Sequence, residues 1–255
     1  MIAEKNKKEL LLFSGGLDSY IAWHYLGKPQ WVYARLGHRY ESYELEAITL
    51  LCKLDKSLEN SWYRPEGIGY DFCLPIGKYF EEGDANIPLR NLYLVSLATN
   101  LGFNTIYLVC QEGEREIPDR SDAFFEMTSE LLSLLSNRET KVNPVFVEMS
   151  KVDMVEWYLA QDLPVKYLKK TRSCYAGDSL KKCGNCSACI RRYIAFTLNG
   201  IEENYKGTFE MHPRSSMLYR AYISKAQRGL YTGKRQQEII RCATIDGLNK
   251  NNSPF

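Results

Sequence analysis

An apolar run, Glu9-Leu10-Leu11-Leu12-Phe13, leads without a break into Ser14-Gly15-Gly16-Leu17-Asp18-Ser19, and the chain continues as Tyr20-Ile21-Ala22-Trp23-His24-Tyr25-Leu26. A short apolar run that stops at glycines reads as a buried strand. Two adjacent glycines permit a tight turn with positive φ, and the apolar stretch after Ser19 reads as a helix. Strand, glycine turn and helix start together aim free backbone N–H groups and the helix dipole at one point, which is an arrangement that binds anions. An ordinary strand-to-helix turn also tolerates two glycines. Here every residue has a chemical use: the glycines let backbone approach phosphate oxygens, Ser14 and Ser19 donate hydrogen bonds, and Asp18 can hold Mg²⁺ or orient the loop. No GxxxxGK[ST] string occurs, so nothing points to a kinase- or GTPase-type phosphate loop.

The rest of the chain alternates. Strands are expected near 8–13, 30–36, 61–63 or 69–74, 105–110 and 145–148, and helices near 19–26, 42–53, 88–101, 119–136 and 151–161. Alternation of this kind predicts a parallel sheet covered by helices on both faces. Ligands of such sheets bind beyond the carboxyl ends of the strands. Ser14 to Ser19, Gly37, Arg90, the loop 111–119 and Lys151 all fall at that edge. Arg90, in the first turn after Pro88, can reach a phosphate or carboxylate or can be a surface residue. Asp119 can accept from the N–H groups of a purine-like base or can cap the helix after it. Lys151 can neutralise phosphates or can be a solvated helix residue. The charged loop 110–116 can close over the site or merely connect elements.

Four of the eight cysteines crowd together as Cys174, Cys183, Cys186 and Cys189, a C-x8-C-x2-C-x2-C pattern. In a reducing compartment clustered thiols read as metal ligands rather than disulfides. Four thiolates suit a closed, structural Zn²⁺ site, with an iron–sulfur cluster as the competing occupant. Gly177 and Gly184 supply the bends, and Lys181, Lys182, Arg191 and Arg192 would offset the negative charge. Cys52, Cys73, Cys110 and Cys242 are scattered and read as small apolar residues. His24, His38 and His212 show no metal spacing.

The N-terminal apolar run is too short for a signal-peptide core, and no window holds the roughly 18 apolar residues that a span requires. The expectation is a cytoplasmic protein without membrane contact. Composition supports one sizeable core with a small appended module. From Lys206 onward, nine Lys or Arg face three Asp or Glu, and Tyr219, Tyr222 and Tyr231 are interleaved with them. Helices are expected at 216–228 and 234–242. A basic aromatic face can bind nucleic acid or an acidic protein. The reading here is packing on the core or homodimerisation, and no nucleic acid. The expected divisions are an α/β domain over 1–165, a four-cysteine subdomain over 166–205 and a basic helical extension over 206–255.

The string Ser14 to Ser19 resembles the SGGxDS loop of the ATP pyrophosphatases, which cleave ATP between α and β phosphates, adenylate an oxygen and release pyrophosphate. Ser173-Cys174-Tyr175 followed by Cys183-Gly184, Cys186, Cys189 and Arg192 resembles the C-terminal signature of the QueC family, the 7-cyano-7-deazaguanine synthases. Pro88-Leu89-Arg90-Asn91 resembles the family's P-x-R-N segment. Gly37-His38-Arg39-Tyr40 with Glu44 resembles its second-strand motif, and Pro118-Asp119 with Phe124 its substrate loop. Lys151 stands where the family has a lysine beginning a helix. The resemblance covers roughly 9–200. It implies a Rossmann-like α/β fold with a small zinc subdomain, and ATP, Mg²⁺ and Zn²⁺ as cofactors. It implies nucleotide binding by Ser14, Gly15, Gly16, Leu17, Asp18, Ser19, Gly37 and Lys151. It also implies catalysis by Asp18, Ser19 and Lys151, and substrate contacts from Arg90, Asn91 and Asp119.

The implied reaction adenylates the carboxylate of 7-carboxy-7-deazaguanine and passes it to ammonia, giving an amide and then the nitrile. The chain departs from the family pattern at Leu36, His38, Tyr40, Leu89, Ile117 and Arg120. A relative that joins the activated deazaguanine to a protein amine, as in antiphage defence, is therefore the second expectation. A tRNA-thiolating enzyme, with Cys110 as one member of a cysteine pair, and a non-catalytic nucleotide-binding module come behind it.

Overall fold

The computed structural model describes residues 8–64, 73–176, 182–205, 212–231 and 233–249. Gly177, Lys181, most of the alternative strand 69–74 and the C-terminal residues 250–255 lie outside them.

Strand β1 (Glu9–Leu12) runs into α1 (Leu17–Tyr25), and β2 (Gln30–Val32) follows. Next come α2 (Glu41–Leu54), α3 (Lys56–Asn60), α4 (Ile76–Phe80) and α5 (Arg90–Asn100), then β3 (Thr105–Val109) and α6 (Asp122–Ser136). Strand β4 (Lys141–Val145) leads to α7 (Lys151–Ala160), α8 (Val165–Leu168) and α9 (Ser187–Leu198). Helices α10 (Met217–Gln227) and α11 (Gly233–Ile245) close the described chain. The four strands are parallel in the order β2-β1-β3-β4, with Leu11 of β1 opposite Trp31 of β2 and Tyr107 of β3. The period of two sorts β1 between the faces. Leu10 and Leu12 enter a cluster with Val95 of α5 and Phe125 and Leu132 of α6. Leu11 and Phe13 enter the larger cluster on the other face, with Tyr20, Trp23, Val155 and Ile194. Helices on both faces are what the alternation predicts, and the fold is α/β.

Two strands differ from expectation. β4 occupies Lys141–Val145 instead of 145–148, because Phe146 at φ +72° turns the chain out of the sheet. Pro144 lies within β4, which is tolerated because β4 is the last strand of the sheet, where a missing N–H costs no ladder bond. Residues 61–63 form an isolated bridge at Trp62 beside β2, not a strand, with Trp31 and Trp62 stacked at 4.8 Å. Helix α6 begins at Asp122 under a cap from Ser121, whose Oγ accepts from Phe124 N at 3.2 Å. Asp119 therefore sits in a 3₁₀ turn, Pro118–Arg120, and is not the helix cap.

Helix α9, absent from the expected elements, runs straight out of the cysteine motif and buries Ile190, Ile194, Ala195 and Phe196. Tyr219, Ile223 and Ala226 of α10 and Ile239, Cys242 and Ala243 of α11 share the same cluster. Much of the extension's charge is engaged within the chain. Arg214 pairs with Asp246 at 3.1 Å, Lys234 with Asp153 at 2.7 Å, and Arg235 lies over the rings of Tyr222 and Tyr231.

Arg192 is the charged residue most deeply set in this core. It is fully buried and grips both oxygens of Glu203 at 2.8 Å, while donating to Thr171 Oγ1 and Leu168 O at 2.7 Å. Lys182 reaches the same carboxylate at 3.0 Å. Its charge thus answers Glu203 directly. Arg192→Ala should cost about 3–5 kcal/mol, since it strands buried acceptors around an empty space. Urea unfolding of the variant measures this, and a loss under about 1 kcal/mol would contradict the packing.

Candidate functional site

The strand order reverses between β1 and β3: β2 extends the sheet one way from β1, and β3 and β4 the other. Loops leaving the carboxyl ends of β1 and β3 diverge there, and a crevice opens between them. A cleft of about 240 Å³ occupies that place, lined by Ser14, Gly16, Leu17, Asp18 and Ser19 from one side and Gln111 and Glu114 from the other.

The loop after β1 is braced from within. Gly16 N donates to Ser14 Oγ at 3.3 Å, Ser14 N donates to Ser19 Oγ at 3.3 Å, and Ser19 Oγ donates to Gly16 O at 3.1 Å. Arg172 N donates to Gly15 O at 2.9 Å, tying the loop to the segment that carries the cysteines. Gly15 is at φ +69°, and a Cβ there would stand 2.8 Å from Ile48 Cγ1 and 3.2 Å from Glu44 O. Helix α1 starts at Leu17 with no side-chain cap, so its first N–H groups stay available. Gly15→Ala forces both a left-handed alanine and a clash, so a loss of about 1–3 kcal/mol is expected. Nucleotide affinity should fall with it, and isothermal titration with a non-hydrolysable ATP analogue would register an unchanged affinity as a failure.

Asp18 is the centre of the polar network. Lys151 Nζ forms an ion pair with Asp18 Oδ1, and Gln111 Nε2 donates to Asp18 Oδ2 at 2.8 Å. Lys151 is the first residue of α7, held by a capping box in which Ser150 N donates to Asp153 Oδ2 at 2.9 Å. Burial pushes the Lys151 ammonium below the ordinary lysine value, against the pull of Asp18. Three loops, after β1, β3 and β4, thus meet at one carboxylate.

Arg90 and Asn91 line the same cleft. Arg90 opens α5 behind Leu89 at φ +59°, and it forms no ion pair among the described residues. Asn91 is buried and donates from Nδ2 to Asp119 O at 3.0 Å. Asp119 itself does not line the cleft, and neither do Gly15 and Gly37. Arg120 stands on the wall in place of Asp119, with Nη1 2.6 Å from Glu114 Oε1. Gly37, at φ +70°, donates its N–H to Glu41 Oε2 at 2.6 Å and so turns His38 and Tyr40 to the cleft. The segment resembling a second-strand motif is a loop, since β2 ends at Val32. Glu44 gathers the wall by accepting from Tyr33 OH at 2.8 Å, with His38 Nε2 3.0 Å away.

Sequence reasoning passed over Gln111, Arg120, Arg172, Tyr175 and Arg191 as individual site residues. Gln111 had a positional signal, being the second residue past the apolar strand β3. Arg191 had none beyond its place next to the cysteines. It reaches into the cleft, 3.5 Å from Glu114 Oε1 and 3.4 Å from Tyr175 OH.

The four clustered cysteines converge: their Sγ atoms all lie within 4.8 Å of one another. Cys183 and Cys189 sulfurs are 3.9 Å apart. Tetrahedral Zn–S bonds of about 2.3 Å place sulfurs roughly 3.8 Å apart, so the donor set fits one zinc ion. An iron–sulfur cluster puts several irons between its thiolates and needs a wider set. Backbone N–H groups of Ala176 and Cys183 donate to Cys174 Sγ at 3.4 and 3.3 Å. The other three cysteines, Cys183 foremost, hold the Cys174 thiol far below its ordinary value. Cys174 also lines the cleft beside Ser173 and Tyr175, so the cysteine cluster and the cleft share a wall.

Comparison with known proteins agrees with this geometry. Residues 81–200 match the family model described as QueC, queuosine biosynthesis protein QueC. The 7-cyano-7-deazaguanine synthase of Methanoculleus marisnigri is 30% identical over 220 residues, spanning 77% of this chain and 97% of its own length. That of Chlorobaculum parvum is 28% identical over 228 residues, spanning 81% and 98%. That of Pseudoalteromonas atlantica is 27% identical over 215 residues, spanning 77% and 97%.

Proposed function

Because the chain belongs to the QueC family, we propose that it adenylates the carboxylate of 7-carboxy-7-deazaguanine at this cleft and transfers the acyl group to a nitrogen nucleophile. The observation that carries the reading is the Asp18 carboxylate, shared by Lys151 and Gln111 in the uncapped first turn of α1 that follows the glycine turn. In the first step a substrate carboxylate oxygen attacks the α-phosphorus of ATP, and the bond to pyrophosphate breaks. Lys151 and the first-turn N–H groups of α1 balance the charge that moves onto pyrophosphate. The Asp18 carboxylate and the substrate phosphates would hold Mg²⁺, which would supply further charge neutralisation. Arg90 serves the substrate's carboxylate, and Asn91 fixes the 118–120 turn beside it through the Asp119 carbonyl.

Ammonia then attacks the acyl carbon and AMP leaves, giving the amide. A second ATP activates the amide oxygen. Loss of AMP with the remaining two N–H protons leaves the nitrile. Adenylation serves both rounds because it turns a poor oxygen leaving group into AMP.

Arg120 and its partner Glu114 occupy the wall where the family pattern has a cysteine after Asp119, and this favours a second reading. In it the acyl group is joined to a protein amine and stops at an amide. Mass spectrometry of a reaction with ATP, Mg²⁺, ammonium and 7-carboxy-7-deazaguanine separates the two. Nitrile with AMP is the expected result. AMP with amide alone supports the conjugating reading, and no AMP overturns both.

A further inference from the structure

A second cavity of about 60 Å³ adjoins the cleft. Gln111, Glu114, Lys151 and Arg191 line both, so the small cavity meets the cleft beside Lys151, the partner of Asp18. Its far side is built by the C-terminal helices, with Tyr222 from α10 and Glu238 and Ile239 from α11. That volume is room for several water molecules. It admits ammonia or the end of a primary amine.

The charged groups around it are not equivalent. Glu114 is answered by Arg120 at 2.6 Å and Arg191 at 3.5 Å, and Glu112 accepts from Lys234 N at 3.2 Å. Lys151 is held by Asp18, Lys234 by Asp153, and Arg235 by the Tyr222 and Tyr231 rings. Glu238 accepts a hydrogen bond from Ser150 Oγ and forms no ion pair among the described residues. Glu112 likewise forms no ion pair among the described residues, so Glu238 and Glu112 are the acids left to receive a small cation.

We propose that this second cavity is the entry and binding site of the nitrogen nucleophile, an ammonium or primary ammonium group held by Glu238, which takes its proton. The inference rests on the adenylating function above. Ammonium gives one proton to the Glu238 carboxylate. The freed amine attacks the acyl carbon, a C–N bond forms as the C–O bond to AMP breaks, AMP leaves with the electron pair, and the amide nitrogen releases its extra proton to solvent. Burial pushes the Glu238 carboxyl up, which suits a proton acceptor. The family model stops matching at residue 200, so the wall that carries Glu238 lies beyond the matched stretch.

Exchange of labelled pyrophosphate into ATP, with 7-carboxy-7-deazaguanine and no amine, reports adenylation alone. Product formation is titrated separately with ammonium chloride and with glycinamide. Glu238→Gln keeps an acceptor for Ser150 and should raise the apparent KM for amine roughly tenfold or more. The exchange rate should stay within about twofold, and Glu238→Asp should restore part of the amine affinity. A rise for ammonium alone identifies free ammonia as the source, and a rise for glycinamide alone identifies a larger primary amine. An unchanged KM for both amines with normal exchange overturns the amine site and leaves adenylation standing. A KM change that comes with an equal loss of exchange means that Glu238 only supports the fold, and it overturns the proposal. No exchange in the unaltered protein overturns the adenylating function and this inference with it.

Discussion

Asp18→Ala is expected to lower ATP-dependent pyrophosphate release by about 10²–10³-fold while leaving the fold intact. The size follows from what the carboxylate holds. Lys151 is 11% exposed and has burial working against its charge, with Asp18 pulling the other way. Removing Asp18 therefore takes away its own charge and the pull that opposes the effect of burial on Lys151. Gln111 loses its acceptor as well. Lys151→Ala added to Asp18→Ala should then cost little more than either alone, since the residues act as one unit. A coupled assay for pyrophosphate, with circular dichroism to check the fold, reads both effects. Full turnover by the single variant would remove the loop from the reaction, and additive losses would break the link between the two residues.

Loss of the metal should have the largest effect on stability. The four sulfurs are within 4.8 Å of one another, and structural zinc contributes about 10–16 kcal/mol of apparent binding free energy to a fold. Cys186→Ser is expected to lose the zinc and more than about 3 kcal/mol of stability, a Tm drop of roughly 6–12 °C. Elemental analysis should find one zinc per chain in the unaltered protein and none in the variant. Activity should fall too, because Cys174 and its neighbours Ser173 and Tyr175 are part of the cleft wall. Arg172, next in the chain, carries the hydrogen bond to Gly15 O. A folded, active variant without metal would show that the cysteines do not brace this wall.

What could be read in advance was local. Ser14 to Ser19 announced a strand-to-helix turn because glycine pairs and apolar runs act through the adjacent backbone. The cysteine spacing announced a metal site because short spacings bring donors together whatever the fold. The resemblance carried Arg90, Asn91 and Lys151 to the cleft, and all three line it. The bounds of β4 were not legible in the chain, since a proline such as Pro144 is tolerated in a strand only where that strand lies at the edge of the sheet. Asp119 missed for a related reason: a single residue of twist in the 118–120 turn decides whether it or Arg120 faces the cleft.

By itself, the sequence determined the α/β class, the glycine turn, the four converging thiols and the helix that begins at Lys151. Each depends on residues close together in the chain, where spacing and backbone freedom act directly. Only the tertiary structure decided that the loops after β1, β3 and β4 meet at the Asp18 carboxylate. It also brought Arg191 into the cleft with Glu114, and α11 to the small cavity beside them. These pairings join residues 77 to 133 positions apart in the chain. They exist because a reversal of strand order opens a crevice at one point, and packing on the shared core directs distant side chains into it.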